Sequence, residues 1–148
     1  MSADHEPIAL GPITTTFSVT AEDSNGTATM MRCDVAAGSG IPLAHSHDGF
    51  EETIYGLHGA TTFTVDGTDI IINPGDALCI KRGQVHSFMA HDGDVAFLAI
   101  ATPGVFGPGY FREIAAVVRA AGGGRPDPQA MAGVMRRHGL TPVAPAAA

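Results

Sequence analysis

The chain has 148 residues, of which eight are basic and fifteen acidic, and its formal net charge is −7 with neutral histidines. This length fits one domain with a hydrophobic core, and the acidic balance argues against a nucleic-acid partner because phosphates would be repelled. No apolar run approaches the ~20 residues that cross a bilayer, and the first ten residues lack the pattern of a secretory signal.

Short β-type runs separated by turn signals occupy the chain between about residues 27 and 102. They cover residues 27–35, 52–57, 61–65, 69–72, 77–80, 85–90 and 95–101. Asp66-Gly67 lies between two of these runs and predicts a tight hairpin. Many short strands at this spacing are typical of an all-β sandwich or small barrel.

The last third of the chain changes to helical spacing. Residues 109–121 place apolar side chains on one helix face, namely Phe111, Ile114, Val117 and Val118. Asp127 is placed to cap a second helix, and Gly139 to end it. The residues from Thr141 onward predict a loose tail. We expect the helices to cover the barrel, because about 40 residues rarely hold a core alone.

The two cysteines are far apart and form neither a disulfide framework nor a Cys-x-x-Cys motif. They indicate a reduced, cytoplasmic protein. Cys79 lies inside a β-type run, which predicts a buried, small apolar side chain and not a catalytic thiol.

A histidine pair, His45-Ser46-His47, precedes the second β-type run. About 0.3 such pairs are expected by chance in this composition, so an exposed polar loop remains the alternative. On a strand, residues i and i+2 point to the same side, so both imidazoles could face one ion. His86 offers a third imidazole after a turn, and neutral imidazoles with a carboxylate suit a divalent first-row metal.

Residues 38–90 resemble the two motifs of the cupin superfamily. In the first motif, His45 and His47 are followed by Glu52 and then, after six residues, by Gly59. The position six before His45 is Ser39 where the family has glycine, although glycines flank it.

The second motif is carried by Gly75, Gly83 and His86, which fall at the family's positions. Lys81 stands where proline is usual, and Ala90 where asparagine is usual. The resemblance implies an all-β fold, a single cupin barrel (double-stranded β-helix, or jelly-roll), here with two C-terminal α-helices. It divides the chain into an N-terminal segment (1–26) with a possible dimer-exchanging strand, the barrel (27–102), and a helical extension with a loose tail (103–148).

The resemblance also implies a metal site, with one divalent transition ion (Fe, Mn, Ni, Co, Cu or Zn) held by His45, His47, Glu52 and His86. Glu52 is preferred to Glu51 because its spacing to Gly59 fits the motif. Strand alternation separates the two glutamates as well, so only one can face the ion. In similar dioxygenases the glutamate also accepts the substrate proton, which makes Glu52 the candidate catalytic residue.

Three apolar side chains near these ligands are candidate walls of a substrate pocket: Phe50, Ile54 and Phe88. Simple filling of a small barrel is the alternative for all three.

The C-terminal third is similar in style to small single-domain cupins described as quercetin-dioxygenase-like. This implies a metal-dependent oxidoreductase that acts with dioxygen on a small, enolisable, cyclic or aromatic compound. The alternatives are a metal-dependent isomerase, lyase or hydrolase that needs no oxygen, and a non-catalytic binding protein. The expected partners are a small-molecule substrate and a second copy in a homodimer, with neither nucleic acid nor membrane.

Overall fold

The computed structural model describes residues 3–41 and 43–143. Within these ranges a short 3-10 helix (Ala3–His5) is followed by eleven strands and two helices. The strands are β1 (Ile8–Leu10), β2 (Ile13–Val19), β3 (Thr29–Val35), β4 (His45–His47), β5 (Glu51–His58), β6 (Thr61–Val65), β7 (Thr68–Ile72), β8 (Ala77–Ile80), β9 (His86–Met89), β10 (Val95–Thr102) and β11 (Leu140–Pro142). The helices are α1 (Pro108–Ala120) and α2 (Pro128–Arg137).

The strands form two antiparallel sheets, ordered β1-β2-β3-β10-β5-β8 and β11-β4-β9-β6-β7. Side chains alternate in and out along strands such as β3 and β6, where every second residue is buried. The inner faces meet where the ring of Phe63 in β6 lies 5.2 Å from that of Phe97 in β10. This is the predicted jelly-roll, with its core between the two sheets.

Every predicted β-type run is a strand, and the predicted hairpin is confirmed. Asp66 and Gly67 both have positive φ, 48° and 82°, and connect β6 to β7. Two consecutive positive φ angles are the mark of the type I′ turn, which matches the twist of the flanking strands.

The two predicted helices are also present. Helix α1 buries one face that includes Phe111 and Ile114. Asp127 caps the N-terminus of helix α2, because its carboxylate accepts a hydrogen bond from the Gln129 backbone N–H. The helix ends shortly before Gly139, whose φ is 79°. The helices lie against β1, β11 and each other and therefore cover one side of the sandwich. In the described part of the chain no helix is long and apolar enough to cross a membrane.

Three strands come from outside the predicted barrel of residues 27–102. Strands β1 and β2 extend the first sheet, with β2 paired to both β1 and β3 of the same chain. Exchange of this N-terminal strand between copies stays a prediction.

The expectation of a loose tail is wrong for its first residues. Thr141 and Pro142 belong to β11, which pairs with β4, and Leu140 is fully buried. A three-residue strand anchored by one leucine gives almost no periodic signal in a sequence. Residues 144–148 of that tail lie outside the described residues.

The expectation of a buried Cys79 is also wrong, because this side chain is exposed while Cys33 is buried. Along β8, Ile80 is buried and Cys79 therefore points to the opposite face.

Candidate metal centre

Three buried histidines from β4 and β9 meet at one end of the sandwich. His45 lies directly opposite His86 in the strand pairing, and His47 follows on the same face of β4. Their exposed fractions are only 7%, 3% and 1% in that order. One nitrogen from each ring lies within 4.8 Å of the other two, close enough to share one ion.

Backbone carbonyls orient two of these rings. His45 Nδ1 lies 3.1 Å from the Leu43 carbonyl oxygen, and His86 Nδ1 lies 3.1 Å from that of Gln84. Since a carbonyl only accepts, each Nδ1 carries the hydrogen and each Nε2 keeps its lone pair. This is the arrangement by which proteins fix the tautomer of a metal-ligating histidine.

His47 has no such partner among the described residues. Neither of its ring nitrogens makes a hydrogen bond, although both are buried. Its ring stacks on Phe50, with centroids 4.2 Å apart and an interplanar angle of 18°. A buried polar atom without a partner costs about 1–3 kcal/mol. A metal ion bound between the three histidines would take one of these two nitrogens and remove that part of the cost, so the residues present fit such an ion.

Glu52 lies beside the histidines, with its Oε1 3.9 Å from His86 Nε2. It is 7% exposed on the inner face of β5, and burial raises the pKa of its carboxyl to about 7. A carboxylate next to three imidazoles is a donor set that accepts divalent transition ions.

Glu51 faces the other way, as the strand alternation predicts. Its carboxylate accepts hydrogen bonds from the Arg82 guanidinium at 2.6 and 2.7 Å and from the Arg82 backbone N–H at 3.1 Å. These bonds lower the pKa of Glu51 to about 2. Glu51 is thereby engaged at the surface, while Glu52 is directed at the histidines.

A large cavity opens from this site. Its volume is about 860 Å³, and His45, Glu52 and His86 lie in its wall. The rest of the lining comes mainly from the inner faces of β2, β3 and β10, from the segment around β1 and from both helices. Helices α1 and α2 thus form the roof of a chamber whose inner end is lined by His45 and His86, with His47 buried behind them.

Of the three predicted pocket residues, only Phe88 lines this cavity. Phe50 is buried against His47 and Phe106, and Ile54 is fully buried in the core. Both fall outside the lining, so filling of the barrel describes these two side chains better than a substrate wall does.

Tyr110 on α1 is a cavity residue that the sequence analysis missed. It is 5% exposed, and its ring packs against those of Phe106 and His138, at 5.1 and 5.5 Å. Burial, and then the charge of Glu52, raise the pKa of its phenol, which therefore stays a hydrogen-bond donor. The signal for Tyr110 in the sequence was its position directly before Phe111 on the apolar face of the predicted helix.

Burial also depresses the basicity of the histidines. It lowers the pKa of His45 to about 4 and that of His47 to about 2, with the neighbouring histidines adding to the effect, and it lowers the pKa of His86. Neutral imidazoles are the form that binds metals. In the folded protein the histidines stay neutral, and thus able to bind a metal ion, well below pH 6.5.

We expect the metal-free protein to lose stability on acidification from pH 7.5 to pH 5. Below about pH 6.5 the unfolded chain takes up protons on these histidines and the folded chain does not. For His45 alone this lowers the free energy of unfolding by about 2 kcal/mol at pH 5. Urea unfolding of the metal-free protein across this range measures the effect. A flat profile would contradict the burial of neutral imidazoles.

Glu52 acts in the opposite direction. Because its pKa is raised, ionised Glu52 lowers the free energy of unfolding above about pH 4.5. This destabilisation decreases as the pH falls through 7 and the carboxyl takes up a proton, and the gain offsets the loss from about one histidine. Glu52→Gln should therefore make the acid loss steeper than in the wild type.

Comparison with known proteins identifies the domain. Residues 31–101 match the cupin domain family. Quercetin 2,3-dioxygenase of Bacillus subtilis is 36% identical over 70 residues, which are 47% of this chain but only 20% of that protein. The chain thus matches about a fifth of the length of this curated relative.

Solved structures share the same architecture. A protein described as a predicted oxalate decarboxylase from Thermotoga maritima is 27% identical, with a TM-score of 0.60 over 66% of this chain and 90% of that one. The polyketide cyclase RemF from Streptomyces resistomycificus has a TM-score of 0.57 at 21% identity, over 72% of each chain. KdgF from Halomonas has a TM-score of 0.60 at 16% identity, over 70% of this chain and 90% of that one. The last two likenesses concern the fold alone. With the family match, the jelly-roll and the inward-facing histidines, residues 31–101 of the chain form a cupin domain.

Proposed function

We propose that this protein is a metal-dependent oxidoreductase of the dioxygenase type, acting on a small, enolisable, cyclic or aromatic compound. The observation that carries the proposal is the opening of a buried three-histidine and glutamate site into an 860 Å³ cavity with mainly apolar walls. His45, His47, His86 and Glu52 are the residues that would hold the ion. Their nitrogen and oxygen donors accept iron, manganese, nickel, cobalt, copper or zinc.

The cavity wall favours an aromatic substrate over a sugar or a small diacid. Its inner part is lined by side chains such as Met31, Phe88, Phe97 and Phe106, with few polar groups between them. A sugar would leave several hydroxyls without partners here, at a cost for each. A two-carbon acid would leave most of the volume unused. The match to a quercetin dioxygenase supports the same substrate class.

The chemistry divides between the bound ion and three features of the chain. A divalent ion, when bound, supplies a Lewis acid for an enolic oxygen and a point at which reactants are held together. Glu52, with a pKa near neutrality, is suited to take the hydroxyl proton of the substrate. Tyr110 donates a hydrogen bond to a substrate oxygen, and the apolar walls exclude water.

An oxygen-independent reaction is the second candidate. The likeness to the Thermotoga protein, at 27% identity, favours a lyase. The same ion and the same proton acceptor would serve such a reaction without dioxygen.

Oxygen uptake tests the proposal. Protein purified without oxygen and reconstituted separately with each candidate ion is given a panel of flavonols, 1,3-diketones and catechols. We expect oxygen consumption in step with product formation for at least one flavonol. Product formation that continues unchanged without oxygen would refute the oxygenase and favour the lyase. An absence of turnover with every ion would favour a non-catalytic binding protein.

We expect Tyr110→Phe to lower kcat/KM by about 10-fold to 100-fold, because one hydrogen bond to a charged oxygen is lost. Metal content should not change. Tyr55→Phe is the matched control, since Tyr55 is 42% exposed on the outer surface and is the only other tyrosine of the chain. Equal kinetics for Tyr110→Phe and the wild type would remove this residue from the mechanism.

We further propose a homodimer in a reducing, cytoplasmic setting. Both cysteines are free, which suits a reducing compartment. The outer strands of both sheets, β8 and β7 among them, offer unpaired edges on which a second copy could add strands.

A further inference from the structure

Thr15 is a buried hydroxyl that the site described above does not use. It lies on the inner face of β2, is 1% exposed and lines the cavity. Its Oγ1 has no hydrogen-bond partner in the described part of the chain. Thr29, equally buried on the adjacent strand, donates to the Phe106 carbonyl oxygen at 2.7 Å. An unpartnered buried hydroxyl lowers stability, so each one in a folded protein calls for an explanation, of which a role at a functional site is one.

The strand register places Thr15 well away from the metal site. Thr15 pairs with Cys33, and Cys33 pairs with Phe97 of β10. Glu52 pairs with Ala101 of the same strand. Four residues along β10 separate the two levels by roughly 13 Å, and the three strand spacings from β2 to β5 add about 14 Å across the sheet. The cavity therefore has two polar ends.

The wall between these ends is apolar. Met31, Phe97 and Ala99 line it from β3 and β10, and Phe88 lines it from the opposing sheet. Side chains and hydrogen bonds at both ends take up roughly half of this diagonal, which leaves two ligand oxygens on the order of 10 Å apart. A rigid ligand of two or three rings spans that distance.

We propose that Thr15 forms a second recognition site, which binds a hydroxyl or carbonyl oxygen at the far end of an extended aromatic substrate. The identity of the group bound at the metal end rests on the proposed function. The second site selects among aromatic compounds by the position of one oxygen, because a site that hydrogen-bonds a ligand oxygen disfavours the analogue that lacks it.

Three flavonols test this proposal: 3-hydroxyflavone, 3,7-dihydroxyflavone and 3,4′-dihydroxyflavone. Their dissociation constants are measured by calorimetry on the metal-loaded full chain without oxygen. We expect the wild type to bind one dihydroxyflavone about 3-fold to 10-fold more tightly than 3-hydroxyflavone, the range for one neutral hydrogen bond. Thr15→Val should erase this preference and leave the affinity for 3-hydroxyflavone within about 2-fold, while Thr15→Ser should keep the preference.

Two controls separate binding from folding. Thr14→Val makes the same change one residue away, on the opposite face of β2, and should leave all three affinities unchanged. Without ligand, Thr15→Val should unfold at the same temperature as the wild type or a higher one, because no hydrogen bond is lost. Thr29→Val should unfold at a lower temperature.

Several results would overturn the inference. One is equal affinity of the wild type for all three flavonols, and another is a preference that survives Thr15→Val. A fall in the unfolding temperature of Thr15→Val as large as that of Thr29→Val would show a structural hydroxyl instead. A failure of all three flavonols to bind would refute the ligand class.

The inference and the proposed function can fail separately. Thr15-dependent selectivity without oxygen uptake would refute only the oxygenase. Oxygen uptake with selectivity unaffected by Thr15→Val would refute only the second site.

Discussion

His47→Ala should leave the purified protein with about a tenth or less of the metal bound by the wild type. The two nitrogens of His47 are buried without a partner in the described part of the chain, so this side chain has no evident structural role in hydrogen bonding. Loss of a direct ligand should weaken metal binding at least as much as the 10-fold to 100-fold caused by changes in outer partners. Elemental analysis after anaerobic purification and dialysis measures the content.

Glu51→Ala is the matched control for this variant. It removes a neighbouring polar side chain that pairs with Arg82 on the surface, and it should keep the metal content of the wild type. If Glu51→Ala lost the metal and His47→Ala kept it, the assignment of the ligands would be wrong.

Glu52→Gln should lower kcat by about 10²-fold to 10⁴-fold, the range that a positioned general base contributes. The amide has nearly the shape of the carboxylate and keeps an oxygen toward His86, but it cannot accept the substrate proton. We expect the metal content to remain close to stoichiometric. Steady-state kinetics with the best flavonol and elemental analysis of the same sample give both quantities.

Glu51→Gln makes the same chemical change one residue earlier and should leave kcat unchanged. Full turnover in Glu52→Gln would show that the proton goes to another acceptor. Loss of metal together with turnover would limit Glu52 to a ligand role.

Strand alternation explains why much of this site was predictable from the sequence. Each β-type run has a fixed period of two, so the faces of Glu51 and Glu52 follow from their order along β5. Gly59, which directly follows β5, has φ 65°, and a side chain there would approach the Asp94 carbonyl oxygen to 2.6 Å. Strand alternation and a required glycine are both encoded within a few consecutive residues, so they can be recognised in the sequence alone.

The cavity was less predictable because packing across the sandwich decides its walls. Phe50 lies in the turn between β4 and β5, where alternation does not apply, and it packs on His47. Ile54 shares a face with Glu52, but the core closes over it completely. Tyr110 and Thr15 reach the same cavity from distant parts of the sequence, and no short-range pattern connects them.

Strand β11 has a consequence for how the cavity and the histidine cluster depend on each other. Strand β4, which bears two of the histidines, pairs with β9 through a single residue pair, whereas β11 pairs with all three of its residues. The side chain of Asp48, just after β4, also accepts a hydrogen bond from Thr141 at 2.7 Å. The segment that follows the roof helices therefore supports the strand that carries His45 and His47. A change in the helices that displaced β11 would therefore also displace His45 and His47, so the cavity roof and the histidine cluster are mechanically coupled.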